Sequence, residues 1–208
     1  ELDAIQQEVK ASLGQRDRDY IKRAIKVQRG LAFGGRALIY ASLPLMPAFP
    51  VFLGVIGTGA AALGVAKILE NMEIGHNVMH GQWDWMNDPE IHSSSWEWDN
   101  TGAAKHWKHT HNYLHHTYTN ILDKDRDIGY GVLRMDETQP WRPYYLGNPV
   151  WAFLLMVLFE YGVAVHDLEV GSKVDGTHAI ADDKTLLRAV GRKVGKQIGK
   201  DYLLFPLL

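Results

Sequence analysis

Two groups of histidines carry the chemistry open to this chain. His76 and His80 stand in GHNVMHGQW, and His111, His115 and His116 stand in HNYLHHTYTN. Histidine is the commonest side-chain metal ligand, and a neutral imidazole suits iron, zinc, copper or nickel. His76 and His80 are spaced i, i+4, which puts them one turn apart on the same face of a helix. His111 and His115 repeat that spacing, and His116 points to an adjacent face. Two helices presenting such pairs to one another would surround two metal ions. His106, His109 and His166 are additional metal candidates outside the paired spacing. His92 and His178 read as ordinary histidines, the latter in a Gly- and Asp-rich loop.

Other chemistries are excluded by residue type. The chain of 208 residues has no cysteine. Disulfides, thiolate zinc sites and iron–sulfur clusters held by this chain are therefore ruled out. Any electrons for redox work must come from elsewhere. Asn77 stands where HExxH needs its glutamate, which excludes that zinc protease motif. The paired Glu-x-x-His motifs of ferritin-like bundles are also absent. A formal net charge of −2 gives no reason to expect a nucleic-acid partner.

The elements that must position these histidines are predicted to be helices at a membrane. Residues 31–69 are almost wholly apolar and their flanks are heavily charged. Residues 31–49 and 51–69 are each long enough to cross a bilayer core, which takes roughly 20 apolar residues. Pro44, Pro47 and Pro50 mark an uncharged connection between them. Lys and Arg recur from Lys10 to Arg36, so the positive-inside rule puts the N-terminus in the cytoplasm. A buried soluble hairpin is the alternative.

No stop signal separates the second span from the first histidines. A helix from Val51 to His80 would be about 45 Å long, against a hydrocarbon core of about 30 Å. His76 would lie about 10 Å beyond Leu69, on the cytoplasmic side and near the lipid. The expected fold is therefore all-α, an integral membrane protein with a transmembrane helical hairpin and a cytoplasmic histidine-rich helical cap.

The remaining segments fit around that frame. Residues 1–30 form amphipathic N-terminal helices, 31–69 the two spans and 70–148 the histidine-box region. Trp83, Trp85, Trp96 and Trp98 read as interfacial anchors. Residues 149–200 supply an interfacial or buried apolar helix containing Glu160, then a basic amphipathic helix. Residues 201–208 (DYLLFPLL) read as the opening of a further span. With that opening cut short the chain is expected to be a fragment, and Glu1 in place of a start methionine reads as a processed or trimmed end.

GHNVMHGQW, and HNYLHHTYTN followed by DKDRDIG, resemble the histidine boxes of the integral-membrane fatty acid desaturases. The resemblance extends over the whole chain, including FEYGVAVHDLEV, and is closest to the actinobacterial acyl-CoA Δ9 branch. It implies a cytoplasmic di-iron centre in the plasma membrane, with His76, His80, His111, His115 and His116 as metal ligands. It also implies four spans and a third histidine box, and neither that box nor the last two spans lies within these residues. On that ground the isolated chain is expected to be catalytically incompetent.

The activity implied is O₂-dependent desaturation of an acyl-CoA. Two electrons would come from a separate NADPH-dependent reductase, and membrane lipids would surround the spans. Removing hydrogen from an unactivated CH₂ needs a strong oxidant made from O₂ at reduced iron, which explains an all-histidine ligand set. The second ring nitrogen of a ligating histidine usually donates to a carboxylate or carbonyl. Asn77, Asp84, Asn120, Asp123, Asp125 and Asp127 are the candidates for that supporting role, and each could equally be a surface turn residue. Lys105, Lys108 and Arg126 could meet the phosphates of CoA. A membrane hydroxylase of the same superfamily and a non-catalytic metal-binding membrane protein are the competing readings.

Overall fold

A computed structural model describes residues 1–167 and 184–207. Every regular element among the described residues is helical. The chain divides into two compact units, Glu1–Trp96 and Glu97–Leu208. His178 lies outside the described residues.

The first unit is a helical hairpin with a cap at its charged end. Helix α1 (Leu2–Ser12) buries none of its residues. Helix α2 (Gln15–Ser42) starts where the Asp17 carboxylate accepts from the Gly14 N–H at 2.9 Å, an acid placed to satisfy a free amide at a helix start. It runs unbroken from its charged half into its apolar half. It ends at Ser42, short of the expected 49, because Pro44, Pro47 and Pro50 break the helical ladder. Arg36 donates to the Ala32 carbonyl at 3.0 Å, so part of this charge is satisfied by its own helix.

Helix α3 (Phe49–Ile68) carries Pro50 in its first turn, where no amide hydrogen bond is lost. It continues through a π-helical turn (Leu69–Gly75) into α4 (His76–Met79). This run, Phe49–Met79, is 31 residues long and is the one single helix among the described residues long and apolar enough to cross a membrane. Only 11 % of its most apolar stretch is buried. A soluble core helix would be mostly covered; exposed Phe49, Val51, Leu53, Val65 and Ile68 suit a lipid-facing one instead. The α2 arm does not meet the same criterion, because its apolar half is continuous with the charged stretch from Gln15 to Arg29.

Helices α2 and α3 pack antiparallel through two glycines. A Cβ on Gly35 would lie 2.8 Å from the Gly59 carbonyl oxygen, and one on Gly59 would lie 2.8 Å from that of Gly35. At the charged end Ile21 and Ile25 of α2 meet Ile74 and Val78, with Met86 and Ile91 of the following loop. Trp83, Trp85 and Trp96 are partly buried and pack on this cluster. Arg18 holds the loop by donating to the Met86 carbonyl at 2.8 Å, and Lys22 pairs with Asp88 at 2.9 Å.

The second unit is built on a short helix, α5 (Ala104–Trp107), which opens into a π-helical turn (Lys108–His115) and closes as α6 (His116–Tyr118). A folded-back loop follows, with Asn120, Asp123 and Tyr130 in left-handed conformations. Helix α7 (Asn148–Val157) turns by 95° at Leu158 into α8 (Phe159–His166). Together the two pieces are apolar and long enough for a broken span or a re-entrant loop, so the bend excludes only a straight helix across a membrane.

Glu160 is accounted for by the loop before α5. Its carboxylate accepts from the Thr101 N–H at 3.0 Å, and its carbonyl from the Thr101 hydroxyl at 2.8 Å. Helix α9 (Lys184–Ile198) closes over the same loop. Lys193 donates to the Glu97 carboxylate and the Gly102 carbonyl, and Lys200 pairs with Asp99. The chain continues through a π-helical turn (Gly199–Leu204) into α10 (Phe205–Leu207).

Candidate metal centre

The first box sits where the long helix regains α geometry. His76 opens α4, and the imidazole centroids of His76 and His80 are 4.5 Å apart with planes at 61°. Beneath them Ile74, Val78 and Met79 are buried almost completely, which fixes the rotation of the helix. Asn77 donates to the Glu73 carbonyl of its own helix at 2.5 Å. Asp84 accepts from the Ser93 N–H at 2.7 Å and from its hydroxyl at 2.5 Å. His92 stands 3.7 Å from Asp84 and 2.9 Å from the Ser94 hydroxyl.

The second box lies in the π-helical turn. π-Helical turns are rare and occur often at functional sites. The wide turn brings His111 and His115 nearly face to face, with centroids 4.9 Å apart and planes at 16°. His116 meets both rings edge-on, at 5.0 and 5.2 Å. On its other side His111 stacks on Trp107 at 4.4 Å, and Trp107 packs on buried Trp98 at 5.6 Å. Trp107 and His111 are spaced i, i+4, so this support was available to a reading of the spacing that looked beyond histidine.

Two carboxylates orient the second box. Asp127 lies 2.8 Å from His111 Nδ1, and Asp125 lies 2.9 Å from His115 Nδ1. With Nδ1 donating to a carboxylate, Nε2 of each ring carries the lone pair, the usual supporting arrangement for a ligating histidine. Asp125 is also held by the backbone N–H groups of Asn120 and Asp127, at 2.7 and 3.0 Å. Asn120 thus serves through its amide, and Asp123 supplies an exposed left-handed turn residue.

Burial would raise the Asp127 carboxyl, but the His111 hydrogen bond and the nearby His166 and His115 rings hold it well below the usual carboxylate range. Ligand atoms of His111, His115 and Asp127 all lie within 4.8 Å of one another, close enough to hold one ion. Imidazoles backed by carboxylates are a donor set that fits iron, and fits zinc equally well on ligand type alone.

The other histidines divide by position. His166 is half-buried, with its Nε2 covered and 3.7 Å from Asp127 Oδ1, beyond hydrogen-bond distance. His106 is buried one turn before the box, and that burial, with the charge of Lys105, lowers its pKa. His109 turns to another face and stacks on Tyr113 at 5.7 Å. Three residues the sequence did not single out stand close by. The Tyr130 ring packs against His166 at 5.2 Å, and Thr110 donates to Asp167 Oδ1 at 2.6 Å. Burial pushes the Asp167 carboxyl up to about 6, against the lowering effect of the Thr110 hydrogen bond.

An open cavity of about 760 Å³ begins beside Asp125 and His166. It runs along Trp151, Leu154, Leu155 and Leu158 at the bend between α7 and α8. Arg126 and Gln139 also line it. One end is polar and next to the second box, and the remainder is apolar.

Paired histidines on a helix turn in each unit, backed in the second by carboxylates, define a helical protein with candidate metal-binding histidine boxes. The particular likeness is to desaturases. The chain is 52 % identical over all 208 residues to the NADPH-dependent stearoyl-CoA 9-desaturase of Mycobacterium tuberculosis, in strains CDC 1551 and H37Rv alike. It is 32 % identical over 117 residues, 54 % of the chain and 32 % of the relative, to the sn-1 linoleoyl-lipid 6-desaturase of Synechocystis. A protein of the same name from Arthrospira platensis is 35 % identical over 120 residues, 55 % of the chain and 30 % of the relative.

Identity of this order along the whole chain supports membership of a desaturase family. The chain spans about half the length of the mycobacterial relative, 47 % of it. No family model matches the chain, and no solved structure does.

Proposed function

We propose that this chain is part of an acyl-CoA desaturase that introduces a cis double bond, at Δ9, into a saturated acyl chain. The observation that carries the reading is the 52 % identity across both boxes to a protein named as a stearoyl-CoA 9-desaturase. In the balanced reaction –CH₂–CH₂– loses two hydrogens, and O₂, two electrons and two protons become two waters. The electrons come from NADPH through a separate reductase. Two iron ions, bound by His76, His80, His111, His115 and His116 together with ligands outside these residues, supply the oxidising power when present.

The chain's own residues prepare that site. Asp127 and Asp125 fix the tautomer and orientation of His111 and His115. The stack of Trp98, Trp107 and His111 covers one side of the box with rigid aromatic surface. The cavity between α7 and α8 offers apolar walls for an acyl chain whose reacting carbons must come near the second box.

The test uses the full-length protein purified from iron-replete cells, with its reductase, NADPH and stearoyl-CoA. Oleoyl-CoA and about two irons per chain are expected. A hydroxylated product would overturn desaturation, and a protein active without iron would overturn the metal assignment.

A second measurement addresses topology, in which both histidine boxes face the cytoplasm of a multi-pass plasma-membrane protein. Cysteines placed at Ser12 and Ser93 are expected to react with an impermeant reagent only from the cytoplasmic side. One at Ala48, in the turn between α2 and α3, is expected to react only from outside. Labelling of Ala48 from within would remove the hairpin from the membrane.

A further inference from the structure

The apolar run that carries α8 ends in two polar residues, His166 and Asp167, and both turn toward the second box. Asp167 is 2 % exposed and Thr110 is 1 % exposed, so the bond between them is shielded from water. Thr110 Oγ1 lies 2.6 Å from Asp167 Oδ1, and farther from the carbonyls of His106 and Trp107, at 3.2 and 3.3 Å. A hydroxyl has one hydrogen to give, and a carboxylate is the stronger acceptor. The second carboxylate oxygen, Asp167 Oδ2, is buried with no hydrogen-bond partner. Burying an acid this way costs stability and calls for a reason.

Thr110 immediately precedes His111 and lies inside the π-helical turn. That turn is the irregular part of the helix, so its angular setting has to be fixed from outside. One contact reaches the turn itself, the bond from Thr110 to Asp167 at the end of α8, while Thr101 bonded to Glu160 and Gly102 packed against Ala164 hold α8 to the loop before α5. One residue before Asp167, His166 faces the same Asp127 carboxylate that holds His111 Nδ1. Both supports of His111, its helix turn and its carboxylate, thus rest on the end of α8.

We propose that Asp167 and Thr110 are positioning residues for the second histidine box, setting the rotation of the turn that presents His111 to the metal. The proposal rests on the metal-site reading above. It assigns a role to the acid that ends FEYGVAVHD, outside the histidine boxes themselves. Neither residue need touch metal or substrate. Their effect reaches the site through the direction of the His111 ring, and removing such outer support typically lowers metal affinity or activity about 10- to 100-fold.

The experiment compares variants of the full-length protein loaded with ⁵⁷Fe, reading iron content, the Mössbauer spectrum and thermal stability together. T110V and D167L are expected to lose about 10- to 100-fold in iron affinity and to change the spectrum. T110S and D167N retain a hydroxyl donor and an oxygen acceptor, and are expected to restore both. T101V removes the hydroxyl bond to Glu160 from the same helix but lies away from His111; it is expected to lose stability without losing iron.

Wild-type iron and spectrum in both T110V and D167L would overturn the proposal. So would a loss of iron in T101V that simply follows its loss of stability. Wild-type protein without iron is a distinguishable result, which overturns the metal reading itself and this inference with it.

Discussion

Alanine in place of any one of His76, His80, His111, His115 or His116 is expected to abolish turnover in the full-length enzyme and to lower its iron content. The effect should exceed the roughly 10- to 100-fold seen when only outer support of a metal ligand is removed. Each substitution takes away a donor rather than its orientation. Within the second box the loss also spreads, because His111 and His115 stack on one another and His116 meets both. Elemental analysis beside a product assay checks this in one series. Wild-type-like iron and activity in any one variant would strike that residue from the site. H178A, from the Gly- and Asp-rich stretch of the sequence, is the matched control and is expected to be nearly silent.

The second large effect concerns the hairpin. G35L and G59L are expected to unfold or splay the first unit. A Cβ at either position meets the opposing backbone oxygen at 2.8 Å, and a neighbouring side chain at 2.9 Å for Gly35 and 2.8 Å for Gly59. Backbone cannot move aside as a side-chain tip can, so the helices must separate. Ordinary overpacking costs about 1–3 kcal/mol, and this contact belongs at or above the top of that range. G57A and G64A, which open into free space, should melt with the wild type. Thermal unfolding in detergent separates the cases. A wild-type midpoint for both G35L and G59L would mean that α2 and α3 do not meet through these glycines.

How much of this was legible in the sequence depends on the range of each interaction. The i, i+4 histidines are local, and their helical placement followed directly from spacing. The proline connection and the long helix running out toward His76 were legible for the same reason. The end of α2 at Ser42 was not, because hydropathy counts apolar residues and is blind to where proline stops the ladder. The packing of Trp83 and Trp96 was not legible, because the cluster they cover is made by Ile21, Ile25, Ile74 and Val78, residues that only tertiary contact brings together. Among the acids, DKDRD offered several carboxylates, and only the folded-back turn at Asn120 and Asp123 decides which ones reach His111 and His115. The Thr110–Asp167 bond joins residues 57 apart and leaves no periodic trace.

The unbroken run from Phe49 to Met79 makes the first box answer to arithmetic far from it. Each residue of an α-helix advances its neighbours by about 100° around the axis. Loss or gain of one residue between Gly59 and His76 would keep the composition, the length of apolar surface and both histidines. Unless the π-helical turn at Leu69–Gly75 took up the change, it would also swing the imidazoles about a quarter-turn out of phase with the face that packs on α2. The loop after Met86 carries no such phase and can change length far more freely. For this chain the integer count of residues between the Gly35–Gly59 contact and His76 therefore matters as much as the histidines themselves, and a comparison of variants should begin by counting.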